Sequence, residues 1–327
     1  MPTLNRSHWT LLKAAKLTLD MSVHPSVFNG GWQSVCFGND RFVAVGRTSN
    51  NNGHIKTSLD GVNWTYTQLG SNLTSVCYGN GRFVAVGSGL NGIFYSADGY
   101  NWTQCSSRAT VGGGYFSVCY SNNLFVMVSA TNMIQTSVDG DIWTDRTSPV
   151  NAGWRSITHG AGVYAAIAMT GTANRAMSST NGTSWTSRSG LGTAYSFRYV
   201  NFGNGRFIVT GNNVSRIGTS TNGTTWSLYT TPTGVVTGST CFANNLWLMA
   251  GASEATQLGY IPFAISSDGL AWENISTLNG VFGRSSICYG KGMYIMVDAN
   301  ELAQSVVVKA TLSQSSAKTH NTKLIAI

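Results

Sequence analysis

Apolar residues in this chain come in short runs that pair across a glycine-bearing turn. The clearest pair is Ser75-Val-Cys-Tyr-Gly-Asn-Gly-Arg-Phe-Val-Ala-Val-Gly87, which predicts strand, tight turn, strand. Related pairs begin at Ser34, Ser117, Ser156, Tyr199, Ser239 and Ser286. A second phrase, Ser-x-[Asp/Asn]-Gly-x-x-Trp, follows most of these pairs and is called the signature turn below. Its copies are Ser58 to Trp64 around Asp60, Ser96 to Trp102 around Asp98, and Ser137 to Trp143 around Asp139. Three more are Ser179 to Trp185 around Asn181, Ser220 to Trp226 around Asn222, and Ser266 to Trp272 around Asp268. Successive tryptophans are 38, 41, 42, 41 and 46 residues apart.

A repeat of about 40 residues built from strands predicts stacked sheets in a ring, because one such unit cannot bury its own apolar faces. The reading is an all-β, seven-bladed β-propeller of four-stranded antiparallel blades. The innermost strand A is the Ser-Val-Cys-Tyr type. Strand B is the Arg-Phe-Val-Ala-Val type, C runs into the signature turn, and D starts at its tryptophan. In each turn the Asp or Asn is expected to accept backbone N–H bonds, and the glycine to tolerate positive φ. Seven A–B pairs meet only six full turns. Thr3-Leu-Asn5-Arg-Ser-His-Trp9 is a degenerate seventh, so the N-terminal segment is expected to supply the outer strand of the last blade and remove its free edge. One domain is predicted over residues 1–310. Residues 10–31 form an insertion whose Leu11–Leu17 stretch reads as a short helix or an added strand, and residues 311–327 form a tail.

Composition narrows the class. Charged residues are only 10%, and Gly, Ser, Thr and Asn fill the space, which suits turns rather than long surface helices. Net charge is +8, from 20 Lys+Arg against 12 Asp+Glu. No apolar run is long enough for a membrane span, and the first residues carry no signal-peptide pattern, so no membrane insertion is expected. With seven lysines, no basic run and no nucleic-acid module, nucleic acid is not an expected partner.

The signature turn resembles the BNR or Asp-box repeat of sialidase-like propellers. The longer phrase Gly-Asn-Gly-Arg-Phe-Val-Ala-Val-Gly followed by Ser-x-Asp-Gly-x-x-Trp is similar to propeller proteins common in phage particles and bacterial genomes. This resemblance covers about residues 3–9 and 34–309. It implies architecture rather than activity, since the boxes of that family are structural turns.

Cys36, Cys77, Cys119, Cys241 and Cys288 share one place in strand A, in different blades and pointing alike, so no disulfides are expected and small buried side chains near the axis are. Cys105 stands apart and is read as free. Without CxxC, HExxH or paired histidines, no metal site and no cofactor are predicted.

Strand direction places A–B turns and signature turns on one face and the B–C and D–A loops on the other, where ligand sites gather. Nine of the thirteen arginines fall toward the loop face, and no Asp or Glu occurs between Arg146 and Ser253. One sector of that face is therefore expected to be positive. The candidate ligand residues are Trp32, Trp154, Arg155, Arg175, Arg188, Arg198, Arg216 and Arg284. Aromatic rings beside arginines suit sugar stacking and pairing with carboxylate or phosphate. The competing reading is that the aromatics are inter-blade core and the arginines merely solvated.

A sialidase resemblance also implies an arginine cluster, a Tyr–Glu pair and an acid. Glu254, Glu273 and Glu301 are the only glutamates, and the family's Phe/Tyr-Arg-Ile-Pro motif is absent. The expected function is a non-enzymatic phage virion propeller, in a tail, fibre or capsid-associated place, assembled in the host cytoplasm. It would bind a receptor glycan, anionic in character, or other virion proteins, with oligomerisation inside the particle left open. A bacterial lectin or adhesin is the alternative, and a sialidase-like glycoside hydrolase the second.

Overall fold

In the computed structural model, the A–B pairs form where the paired apolar runs predict them. The described residues are 17–25, 31–47, 52–88, 92–106, 114–171, 174–211, 216–231, 237–251, 260–279, 285–298 and 304–312. Among them, twenty-eight strands make seven four-stranded antiparallel sheets. The first is β2 (Gly31–Gly38), β3 (Arg41–Arg47), β4 (Gly53–Ser58) and β5 (Thr65–Leu69), and the next five repeat that order along the chain. The last is β26 (Ser285–Gly290), β27 (Met293–Asp298) and β28 (Gln304–Leu312), with β1 (Leu17–Pro25) on its outer edge. Each innermost strand touches the innermost strands of the two neighbouring sheets, and β26 returns to β2, so the ring closes.

The N-terminal segment does complete the last sheet, but with different residues. β1 pairs antiparallel with β28 in a continuous register from Leu17↔Leu312 to Pro25↔Gln304. The closing strand therefore lies inside 10–31, the stretch read as an insertion, and not at Trp9. Asn5, Trp9 and the 3–9 turn, and the tail beyond Leu312, lie outside the described residues. The reason is register. Nine paired positions on a long β28 satisfy a whole row of backbone groups, whichever residues precede them.

The signature turns follow one scheme in six sheets, except that Trp226 Nε1 in the fifth has no hydrogen-bond partner among the described residues. In the first, Ser58 Oγ donates to Asp60 Oδ1 (2.9 Å) and accepts from Gly61 N–H (2.8 Å). Asp60 Oδ1 also accepts from Val62 and Asn63 N–H at 2.9 and 2.8 Å, and Trp64 Nε1 donates to the Gly61 carbonyl at 3.0 Å. Gly61 has φ +77°, and the corresponding glycines of the other five turns are also left-handed. Asn181 and Asn222 make the same pair of Oδ1 contacts, all at 2.9 Å. Three of the A–B turns reach the following sheet by the same bond. Asn39, Asn80 and Asn204 donate from Nδ2 to carbonyls of the following signature turn.

A ring of stacked side chains marks the middle of the assembly. One aromatic from each strand A packs on one from strand B at centroid distances of 4.5–5.2 Å: Phe37–Phe42, Tyr78–Phe83, Tyr120–Phe125, His159–Tyr164, Phe202–Phe207, Phe242–Trp247 and Tyr289–Tyr294. In five of the seven pairs the strand-A ring lies over a glycine of the preceding sheet. A Cβ on Gly79 would sit 2.0 Å from Tyr120 Cγ, and one on Gly38 2.1 Å from Tyr78 Cγ. Where His159 replaces the hydrocarbon ring, Ser121 replaces the glycine and its Oγ lies 2.9 Å from His159 Nδ1.

All six cysteines are free, as expected, but the five ring cysteines are half-buried and Cys105 is the buried one.

Between the last and first sheets sits an exception to apolar packing. Lys56 is fully buried among Trp32, Trp64 and their neighbours, with Nζ 4.4 and 4.5 Å from the two indole centroids and no hydrogen-bond partner among the described residues. The ring faces favour a cation, but burial pushes the ammonium down to about 7. Its folded value lies below its unfolded one, so the unfolded chain holds more protons between pH 7 and about 10.5, and stability rises with pH across that window. Lys56→Met is expected to raise unfolding free energy by roughly 2–4 kcal/mol near pH 6. That advantage should shrink steadily toward pH 10 in denaturant titrations at several pH values.

The turn carboxylates titrate the other way. Burial alone would raise Asp60, but N–H donors from Asn63 and Val62 and hydroxyl and amide partners outweigh it and hold it far below the ordinary range. Asp98 is held low first by the Asn101 N–H. Stability from these groups is present above about pH 4 and lost as pH falls through their depressed values. Asp60→Asn/Asp98→Asn should flatten the acid limb of a Tm-against-pH curve below pH 4.

Candidate functional site: the axial mouth

Five successive A strands carry a β-bulge near their start. Pairing with strand B slips between Trp32 and Ser34, Leu73 and Ser75, Tyr115 and Ser117, Trp154 and Ser156, and Phe197 and Tyr199. A bulge leaves one residue unpaired and re-aims its side chain. Here those residues are Gln33, Thr74, Phe116, Arg155 and Arg198, and all five line a cavity of about 190 Å³ on the axis. Before each bulge comes a large apolar residue that turns into the core between sheets.

This splits the predicted ligand set. Trp154 is 0% exposed, packs between sheets, and donates from Nε1 to Ser148 Oγ at 3.0 Å. Trp32 is equally buried beside Lys56. Neither offers a stacking face, so these two belong to the competing inter-blade reading, and Tyr115 and Phe197 share their fate. Arg155 and Arg198 do come together at the mouth. Arg155 lies over the Phe116 ring, guanidinium carbon 4.1 Å from the centroid.

The remaining arginines are spent elsewhere. Arg175 donates to the carbonyls of Tyr195 (2.8 Å) and Gly171 (3.2 and 3.3 Å), bracing a loop. Arg188 Nε donates to Ser178 Oγ at 2.8 Å across two outer strands, and Arg146 repeats this with Thr136 Oγ1 at 3.0 Å. Arg216 is half-buried at the start of a third strand, opposite Thr230. Arg284 lies outside the described residues.

Below the bulge residues runs a belt of hydroxyls. Ser34 Oγ accepts from Val76 N–H, Ser75 from Val118, Ser117 from Ile157, Ser156 from Val200 and Ser286 from Val35, at 3.1–3.2 Å. Each bond joins one sheet to the next, and the last joins the seventh to the first. Tyr199 stands at the equivalent place in the fifth sheet, where Asn201 Nδ2 instead donates to Thr240 Oγ1 at 3.1 Å. Sequence reasoning used these serines only as markers of repeat starts. The recurring Ser was the available signal for their role. Among the described residues no Asp or Glu lines the cavity, and no cluster of His, Cys, Asp or Glu could hold a metal ion.

No family model and no curated protein matches this chain. Solved structures do resemble it. One is YCF48 bound to D1 peptide, at 16% identity and TM-score 0.67, covering 91% of this chain and 98% of that one. Virginiamycin B lyase from Staphylococcus aureus matches at 12% and TM-score 0.72, over 90% and 100%. The WD40 β-propeller domain of Doa1 matches at 12% and TM-score 0.65, over 93% and 100%. The fold is a β-propeller. At these identities the likeness extends to the fold and no further, so the chemistry of the propeller's mouth stands on its own residues.

The split between core and mouth has a direct check. Trp154→Ala should cost about 3–5 kcal/mol in equilibrium unfolding. Arg155→Gln/Arg198→Gln should stay within about 1 kcal/mol of wild type, since both side chains are half-buried at a solvent-filled opening.

Proposed function

We propose that this propeller is a non-enzymatic binding module of a phage particle, of the Asp-box type, and that it takes an anionic surface glycan on its loop face. The observation that carries the reading is charge placement. Arg155 and Arg198 line the axial cavity from adjacent blades, and its described lining residues include no Asp or Glu. The 108 residues from Arg146 to Ser253 that supply this sector contain no Asp or Glu. Such a sector attracts acidic ligands and discriminates against cations.

A glycosidase reading finds no support at this cavity, because retaining and inverting hydrolysis in most families needs two carboxyl groups flanking the bond and the described residues of the lining supply none. Placement in a particle rests on the repeat's resemblance to phage propellers and on the low-charge, turn-rich composition.

The test joins two measurements. Wild-type protein should bind acidic glycans on an array and host cells in a pull-down, and Arg155→Gln/Arg198→Gln should lose at least about tenfold in affinity. Unchanged binding by that variant would remove the mouth from the reading. Peptide mass spectrometry of purified particles should find this polypeptide at fixed stoichiometry, and its absence there would favour the free lectin or adhesin.

A further inference from the structure

The geometry points to a built oxyanion well on the axis, specific for a tetrahedral group such as a sulfate or phosphate ester. This deepens the binding reading above and rests on the same mouth. Ser34, Ser75, Ser117, Ser156 and Ser286 each use the hydroxyl oxygen to accept an amide proton from the next blade. A serine hydroxyl also carries one proton to donate. None of these five donates within the described residues, and all five line the cavity. The well is therefore walled by hydroxyl donors on most sides, with their oxygens fixed by inter-blade bonds.

Arg155 and Arg198 close one side of the mouth, and the Arg155 guanidinium rests over the Phe116 ring. A carboxylate presents two oxygens in one plane and leaves most of an encircling belt unanswered. A tetrahedral oxyanion presents acceptors in several directions, which is what donors arranged around an axis require. Preorganised donors of this kind cost no rearrangement on binding.

Two sources of such a group exist, a phosphorylated and a sulfated glycan, and inorganic ions separate them. Calorimetry and thermal shift would be run on the full chain with sodium sulfate, sodium phosphate and sodium acetate at constant ionic strength. Saturable binding of sulfate or phosphate is expected, with acetate at least about tenfold weaker. Arg155→Gln/Arg198→Gln should lose about a hundredfold, while Arg47→Gln, exposed and outside the cavity, should bind as wild type does. The tighter of the two tetrahedral ions names the ester to seek.

Acetate binding as tightly as sulfate would overturn the tetrahedral assignment. Equal response of wild type and the double variant would overturn the well itself. A double variant that loses sulfate yet still binds host cells would leave the well standing and remove only its role in receptor binding.

Discussion

A serine hydroxyl in one sheet accepting the amide proton of the next is the contact on which this ring turns. Strand A must satisfy its own ladder and also face an axis with no partner strand. The amide of Val76, Val118, Ile157, Val200 or Val35 finds its acceptor in the preceding sheet. That single device couples adjacent sheets, sets their spacing and leaves a hydroxyl proton toward the axis. Its last instance, Val35 to Ser286, closes the circle across 251 residues. Pairing of β1 with β28 closes it again at the rim. The seam is thus held at the inside and the outside, and Lys291–Asp40 adds an exposed ion pair at 3.0 Å between the two A–B turns, a contact of small worth at such exposure. Between these fastenings lies Lys56, a buried amine in the core of the seam.

The β-bulge does the second piece of work. Without it, alternation would send Trp154 and Arg155 to opposite faces of the same flat strand. With it, the tryptophan fills the space between sheets while the arginine is released toward the axis, only one residue later. Stability and recognition are thereby carried by neighbouring residues with little shared cost. The same slip recurs in five sheets, so the identity of one residue per blade can vary from Gln33 to Thr74, Phe116, Arg155 and Arg198 without disturbing the core.

Much of this was legible in the sequence, for physical reasons that differ by feature. The strand pairs and signature turns could be read because short, continuously buried apolar runs and a glycine at positive φ leave a strong local imprint, as at Arg82–Gly87, Gly61 and Gly99. The closing strand was misplaced because β1 lacks the turn and tryptophan that mark every other outer strand; its partner is chosen by backbone pairing, which leaves no motif. Trp32 and Trp154 were assigned to a ligand surface because they stand at the loop-face start of strand A; the bulge that follows turns them between sheets and releases the next residue to the axis. Arg175 and Arg188 were legible as loop-face residues, but their carbonyl and hydroxyl partners come from loop geometry that spacing does not encode.

The two asparagine turns show that charge in this ring is not dictated by folding. Asn181 and Asn222 accept the same two amides as Asp139 and Asp268, at distances within 0.1 Å. In the first two blades the second carboxylate oxygen has a job, accepting from Asn63 or Asn101 Nδ2. In the third and sixth blades Ile142 and Ala271 stand at that position and can offer no such side-chain bond, yet Asp is retained. Turn geometry therefore tolerates either residue, and the neutral choice falls in the same two blades that place Arg155 and Arg198 at the mouth. Acid is missing from this sector on the turn face as well as the loop face. A shortage that spans both faces, where one face would accept acid at no geometric cost, is a property of the sector's electrostatic field.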